Sequence, residues 1–146
     1  MNPVVTNLAE SDGIMTFTLS GVNVSLANAL RRIVLSDIPS VVFRTTPYEE
    51  CKMNIEINTT RLNNELIKQR ISCVPIHISD TNFPIENYIV EVDKKNDSDI
   101  IDYVTTGDFK IKDKNTGKYL SQSATRDIFP PDEITGDFID IARLRP

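Results

Sequence analysis

The sequence contains few of the residues that usually bind metal ions or carry out redox chemistry. The 146 residues include two cysteines, one histidine and no tryptophan. Cys51 and Cys73 form no Cys-x-x-Cys pair, and only His77 lies near them in the sequence. These three residues are too few for the tetrahedral ligand set of a structural zinc site. We therefore expect no metal and no other cofactor.

Long apolar runs are also missing. No stretch approaches the roughly 18 apolar residues that a membrane-spanning helix needs. The first residues, "MNPVVTNLAESDG", show no basic stretch followed by an apolar one, so they do not resemble a signal peptide. We expect an intracellular protein without a membrane partner, in which free thiols are favoured over a disulfide. The Asn-x-Ser/Thr triplets at Asn23, Asn58 and Asn96 are then not glycosylation sites.

An excess of positive charge is absent as well. The net charge is -5, and residues 80–146 carry all of it, because this segment contains 9 basic and 14 acidic residues. Binding to phosphate backbones needs a basic surface. The chain is therefore not expected to hold DNA by itself, although it could belong to a complex that does.

Motifs for catalysis are absent too. The glycines occur in neither a phosphate-binding GxxxxGK[ST] nor a GxGxxG pattern, and His77 has no partner motif for nucleophilic catalysis. Asp127, Asp132, Glu133 and Asp137 could form an acid–base pair or a cation site. A solvated acidic loop is the favoured interpretation, because no nucleophile or phosphate cradle accompanies them. We expect no catalytic residue.

The patterns that are present predict a mixed α+β fold with mostly antiparallel strands. "IMTFTLS" alternates apolar and polar residues, which predicts a half-buried strand. Ser25 is a candidate N-cap for a helix from Leu26 to about Asp37, and Pro39 then ends it. Further strands are predicted at 40–46, 51–60, 87–92, 108–112 and 138–144, with a helix at 61–70, a hairpin turn at 113–118 and an irregular loop at 128–137.

The first predicted helix has two different faces when it is wound at about 100° per residue. One face, the apolar stripe, is expected to point into the core and consists of Leu26, Leu30, Ile33 and Val34. The opposite face, the arginine face, consists of Asn28, Arg31, Arg32 and Leu35. Exposed charged side chains usually contribute little to stability, which favours the interpretation that this face is simply in contact with solvent. An apolar residue between arginines equally favours a docking face, so both interpretations stay open at this point.

Three blocks of the sequence resemble one known family. "LANALRRIVLSDIP" resembles the signature helix of the alpha-type assembly subunits of multisubunit DNA-directed RNA polymerases, which include bacterial alpha, archaeal D and the third-largest eukaryotic subunit. "NTTRLNNELIKQRISCVPI" is similar to a second family stretch, with Glu65, Arg70 and Pro75 at matching positions. "GDFIDIARLRP" resembles the strand that closes the inserted domain of the family. "NNELIKQRISCVPIHI" and "FPPDEITGD" look most like the subunits of large nucleocytoplasmic DNA viruses.

The resemblance implies an architecture. Residues 1–45 would be the first part of a dimerisation domain, made of a strand and a helix. Residues 46–146 would be an inserted, mostly antiparallel β domain, and the remainder of the dimerisation domain would be absent from this chain. The compartment would be the virion and host cytoplasm for a viral protein, and otherwise the nucleus or nucleoid.

The resemblance also implies a function, that of a non-catalytic scaffold subunit. A platform would pair with a second alpha-like protomer or fused partner; its residues would be Phe17, Leu19, Leu26, Leu30, Ile33 and Val34, with Met15 beside them. The second-largest, beta-like subunit would be contacted by Asn28, Arg31, Arg32, Leu35, Glu65 and Arg70. Two other classes remain open: a free-standing adaptor that uses the same helix face, and an enzyme that uses the acidic loop.

Overall fold

Residues 2–80 and 82–146 are described by a computed structural model, in which the chain divides into two units. We call residues 1–39 the N-terminal unit and residues 40–146 the C-terminal unit. The strands are β1 (Val4–Ser11), β2 (Ile14–Ser20), β3 (Tyr88–Glu91), β4 (Asp102–Thr105), β5 (Lys110–Asp113) and β6 (Asp140–Leu144). The α-helices are α1 (Val24–Ser36), α2 (Asn64–Ser72) and α3 (Gln122–Ile128). The predicted α+β class with antiparallel strands is confirmed.

The N-terminal unit is a β-hairpin followed by a helix. β1 and β2 pair antiparallel, with a bulge between Thr6 and Ala9, where Asn7 has a φ of 52°. The sequence pattern did not predict β1, because this bulge interrupts the alternation by which a strand is recognised. The hairpin turn contains Asp12 and Gly13, which both adopt positive φ angles.

The start of α1 corrects one sequence prediction. The N-cap is Asn23 rather than Ser25: Asn23 has extended backbone angles, and its side-chain oxygen accepts a hydrogen bond from the Leu26 N–H at 3.1 Å. Ser25 instead lies within the first helical turn. Asp37 is the C-cap, and its N–H donates to the Ile33 carbonyl, so the predicted end of the helix is confirmed.

The C-terminal unit contains two separate two-stranded antiparallel sheets, β3 with β5 and β4 with β6. They pack around a core that includes α2 and α3; its buried members are Ile67, Val74, Phe109, Ile111, Phe129, Ile141 and Ala142. Three aromatic rings meet at its centre. Phe109 lies edge-on to Phe129 with ring centroids 5.1 Å apart, and Phe43 stacks on Phe129 at 5.9 Å.

Two predicted strands of this unit do not form. Residues 40–46 and 51–60 belong to none of the sheets formed by the described residues. Alternate side chains such as Phe43 and Ile55 still pack against the core, which explains the period-two pattern. An alternating pattern indicates only that every second side chain is buried. A β-strand also needs an adjacent strand to accept and donate its backbone hydrogen bonds. The sequence also missed β4 and α3.

Two Asn-x-Ser/Thr triplets build loops with the same hydrogen bonds. In the first, Asn58 donates its amide to the Leu62 carbonyl at 2.8 Å while its oxygen accepts from the Thr60 N–H and hydroxyl. In the second, Asn96 donates to the Ile100 carbonyl at 2.7 Å and accepts from the Ser98 N–H and hydroxyl. The amide nitrogens therefore have a local structural role in the loops before α2 and β4.

Within the residues that the structure describes, no helix combines the length and apolar character needed to cross a membrane.

Candidate assembly surface on the N-terminal helix

The apolar side chains of the N-terminal unit are exposed. None of residues 2–39 is buried, and the apolar stripe of α1 is 42–62% exposed. The prediction that this stripe faces a core of the chain itself is therefore wrong. The other exposed large apolar residues of the unit are Val4, Val5, Leu8, Ile14, Met15, Phe17, Val24, Leu35 and Ile38.

A hairpin and one helix cannot bury an apolar face by themselves, because a stable core needs two packed layers of adequate size. Of the two platform residues on β2, Phe17 is 54% exposed and Leu19 is half-buried. Large exposed apolar patches are typical of interaction sites. The N-terminal unit therefore exposes apolar side chains that its own hairpin and helix do not cover.

The arginine face lies on the opposite side of α1. Arg31 donates two hydrogen bonds to the Asn28 side-chain oxygen, from Nε at 3.2 Å and from Nη2 at 3.1 Å. The side chain of Leu35 is 76% exposed between the two arginines. Val24, at 85% exposed, shares this face, since it lies four residues before Asn28 and seven before Arg31. Sequence reasoning missed Val24 because it began the helix two residues too late.

The charge on α1 is uncompensated. The helix has two arginines and no acidic residue, and neither Arg31 nor Arg32 joins an ion pair with any described residue. On a solvated helix, an acidic neighbour three or four residues from an arginine stabilises the helix. This helix offers none, although the chain as a whole carries a net charge of -5.

Glu65 and Arg70 lie on α2 in the C-terminal unit. Arg70 donates from Nη2 to the Asp140 carbonyl at 2.8 Å, which ties α2 to the start of β6. Glu65 is exposed in the first turn of α2, where its charge complements the positive end of the helix dipole. Both residues therefore have roles inside this unit, and their contact with a partner stays a prediction.

A shallow groove of about 400 Å³ runs beside Arg70. Its lining residues are Gln69, Arg70, Cys73, Val74, Ile139 and Asp140. Cys73 is an exposed free thiol here, and Cys51 is a half-buried free thiol elsewhere in the unit.

The acidic loop is organised by its own backbone. The Asp132 carboxylate accepts hydrogen bonds from the N–H groups of Thr135 at 2.8 Å and Ile134 at 3.0 Å, which hold its pKa below the ordinary value of 3.8. Asp132 is thus kept ionised as a turn-forming acceptor. Among the described residues no three His, Cys, Asp or Glu side chains are grouped to hold a metal ion. His77 is exposed and lies outside any strand.

Two charged clusters stabilise the sheets of the C-terminal unit. Lys94 donates to the Tyr103 carbonyl at 2.5 Å and lies 3.3 Å from carboxylate oxygens of both Asp102 and Asp108. Burial acts to lower the pKa of Lys94, but the two aspartates outweigh it, so the pKa lies above 10.5. On the other sheet, the Tyr119 hydroxyl donates to Glu91 at 2.6 Å, and Lys112 lies 3.4 Å from the same carboxylate. The Tyr119 hydrogen bond is the main reason that the pKa of Glu91 is lowered.

Comparison with known proteins identifies the relatives of this chain. A family model described as the RNA polymerase Rpb3/Rpb11 dimerisation domain matches residues 16–116, which is more than half of the chain. DNA-directed RNA polymerases I and III subunit rpac1 of Dictyostelium discoideum is 30% identical over 159 residues, covering 95% of this chain and 42% of the relative. DNA-directed RNA polymerases IV and V subunit 3B of Arabidopsis thaliana is 37% identical over 65 residues, covering 44% of this chain and 18% of the relative.

An archaeal protein is similar as well. DNA-directed RNA polymerase subunit Rpo3 of Pyrococcus horikoshii is 29% identical over 79 residues, covering 54% of this chain and 28% of the relative. The chain spans less than half the length of each of these three relatives. The resemblance to alpha-type subunits is thereby confirmed, and the chain belongs to the RNA polymerase Rpb3/Rpb11 dimerisation-domain family.

Proposed function

We propose that this chain is a non-catalytic assembly subunit of a DNA-dependent RNA polymerase. The observation that supports this most directly is the pair of exposed faces on α1, one apolar and one carrying Arg31 and Arg32. The printed names of the relatives, all subunits of DNA-directed RNA polymerases, support the same role. A scaffold that joins two partners needs two separate surfaces, and a single helix can provide both.

The apolar stripe would pair with a second alpha-like protomer. Stable interfaces of this kind have an apolar, well-packed centre. Phe17 on β2 and the four stripe residues on α1 are exposed large apolar side chains that could form such a centre, with Leu19 beside them. An alpha-like protomer with a similar hairpin and helix would supply the second layer that the N-terminal unit lacks.

The arginine face would dock the second-largest, beta-like polymerase subunit. Arginine is enriched at interfaces because its planar guanidinium binds carboxylates through two parallel hydrogen bonds. α1 has no acidic residue that could form an ion pair with either guanidinium group in place of such a partner. DNA would be held by the large subunits, which agrees with the net charge of -5 on this chain. The chain would then work wherever its polymerase is located.

Two single substitutions on opposite faces test this proposal. The full chain is co-expressed with its alpha-like partner and with the second-largest subunit, and the purified complexes are analysed for stoichiometric components. Arg32→Glu should lose the second-largest subunit and keep the alpha-like partner. Ile33→Asp should lose the alpha-like partner.

The adjacent positions act as controls for each other, since both are exposed on the same helix. Circular dichroism checks that each variant keeps its secondary structure. Recovery of the wild-type chain without polymerase subunits would overturn the proposal and favour a free-standing adaptor that uses the same helix.

A further inference from the structure

The two adjacent arginines of α1 are held differently. Arg31 uses Nε and Nη2 to donate to the Asn28 side-chain oxygen, whereas the Arg32 side chain makes no hydrogen bond with any described residue. Asn28 lies three residues before Arg31, which places both side chains on neighbouring positions of one helix face. The two arginines therefore differ in orientation although they carry the same charge.

The Asn28 contact decides which edge of Arg31 stays available. A guanidinium offers five N–H donors in a fixed planar arrangement. The edge formed by Nε and Nη2 is occupied by Asn28. The edge formed by Nη1 and Nη2 remains free, and two parallel donors on one edge match the two oxygens of a carboxylate.

We propose that Asn28 is a positioning residue that presents the free edge of Arg31 to an acidic side chain of the second-largest polymerase subunit. This inference rests on the proposed function and adds the chemistry of the contact. Charge complementarity favours an acidic partner segment, because no acidic residue lies within four positions of Arg31 on its helix. Leu35 and Val24, exposed on the same face, would meet apolar residues that flank the partner's carboxylate.

The orientation makes Asn28 and Arg31 energetically coupled in binding. A guanidinium that is already oriented loses less conformational freedom when it binds. Removing Asn28 should therefore weaken binding only when Arg31 is present. Arg32 lacks this contact, so the effect of removing Asn28 should be independent of Arg32.

A double-mutant cycle tests this coupling. The affinity of the full chain, in complex with its alpha-like partner, for the second-largest subunit is measured for wild type, Asn28→Ala, Arg31→Ala and the double variant. Asn28→Ala should weaken binding about three- to tenfold, in the range found for residues that act together. In the Arg31→Ala background the same substitution should change the affinity by less than about twofold.

The matched control is Asn28→Ala in an Arg32→Ala background, where the three- to tenfold loss should persist. Alanine is the better helix former, so Asn28→Ala should not unfold α1. Arg31→Lys should bind nearly as weakly as Arg31→Ala, because lysine keeps the charge but cannot bind both Asn28 and a carboxylate through a planar edge.

Equal losses from Asn28→Ala with and without Arg31 would overturn the positioning role, as would an unchanged affinity of Asn28→Ala itself. In either case wild-type binding and its loss in Arg32→Glu would leave the proposed function intact. A wild-type chain that does not bind the second-largest subunit would overturn the proposed function, and this inference with it.

Discussion

The two units of this chain use their apolar residues in opposite ways. In the C-terminal unit, Phe109, Phe129 and Ile141 are 3–4% exposed and lie in one core. In the N-terminal unit, residues of the same types stay in solvent, and Phe17 is 54% exposed. The difference shows that apolar content alone does not decide burial. A second layer has to be available to cover each apolar face.

The number and arrangement of elements explain this contrast. The described part of the C-terminal unit has two sheets and two α-helices, so its strands and helices can cover one another's apolar faces. The N-terminal unit has one hairpin and one helix. The C-terminal unit therefore has a core of its own, whereas the N-terminal unit leaves its large apolar side chains exposed.

The largest expected effect compares two phenylalanines. Phe109→Ala should lower the free energy of unfolding by about 3–5 kcal/mol, because it removes a ring from the centre of the core. Phe17→Ala should change it by less than about 0.5 kcal/mol in the isolated chain, since the ring is already largely in water. Urea denaturation followed by circular dichroism measures both. A similar cost at the two positions would contradict the contrast between the units.

A smaller effect is expected in the loop that precedes β4. Asn96 donates to the Ile100 and Arg145 carbonyls at 2.7 and 3.1 Å. Asn96→Ala should therefore cost about 0.5–1.5 kcal/mol of unfolding free energy, the net contribution of a typical hydrogen bond, because water can replace the amide donor at these exposed carbonyl groups. Asn54→Ala is the control, because Asn54 is exposed and its side chain makes no hydrogen bond with any described residue. Equal stability of the two variants would argue against the loop role of Asn96.

The smallest effect concerns the exposed face of the β3–β5 sheet. The hydrogen bond from Tyr119 lowers the pKa of Glu91 below 4.5, so the ionised carboxylate contributes stability above pH 4.5 that is lost as the pH falls through the lowered pKa. Tyr119→Phe removes the hydrogen bond that is the main cause of the lowered pKa, so the pKa of Glu91 should move back toward 4.5. An NMR titration of the Glu91 side chain measures this shift. An unchanged pKa in the variant would show that Lys112 and Lys110 maintain the lowered pKa without Tyr119.

Short sequence patterns correctly predicted the strands, the helix end and the turn whose formation depends on residues near one another in the sequence. The alternation at 14–20 and the helix ended by Pro39 are confirmed. So are strands near 87–92, 108–112 and 138–144. The hairpin turn after β5 is also confirmed, since Gly117 donates to the Asp113 carbonyl and adopts a φ of 68°. Glycine, proline and period-two patterns act over a few residues, so they can be recognised without knowledge of the rest of the fold.

Predictions that depended on distant neighbours were less reliable. Residues 40–46 have the pattern of a strand but find no partner strand among the described residues. The contact of Arg70 with a partner stays a prediction, but its hydrogen bond to the carbonyl of Asp140, 70 residues away in the sequence, was not foreseen. No local pattern could reveal that pairing.

The sequence by itself determined the two faces of α1, because the helical repeat alone separates Leu30 and Ile33 from Arg31 and Arg32. It also determined the family, whose blocks lie in continuous stretches of the chain. Only the tertiary structure decided that the apolar stripe is exposed rather than buried, and that Arg31 lies within hydrogen-bond distance of the Asn28 side-chain oxygen. Burial depends on which elements are present to cover a face, and a side-chain hydrogen bond depends on the rotamers that the folded helix selects.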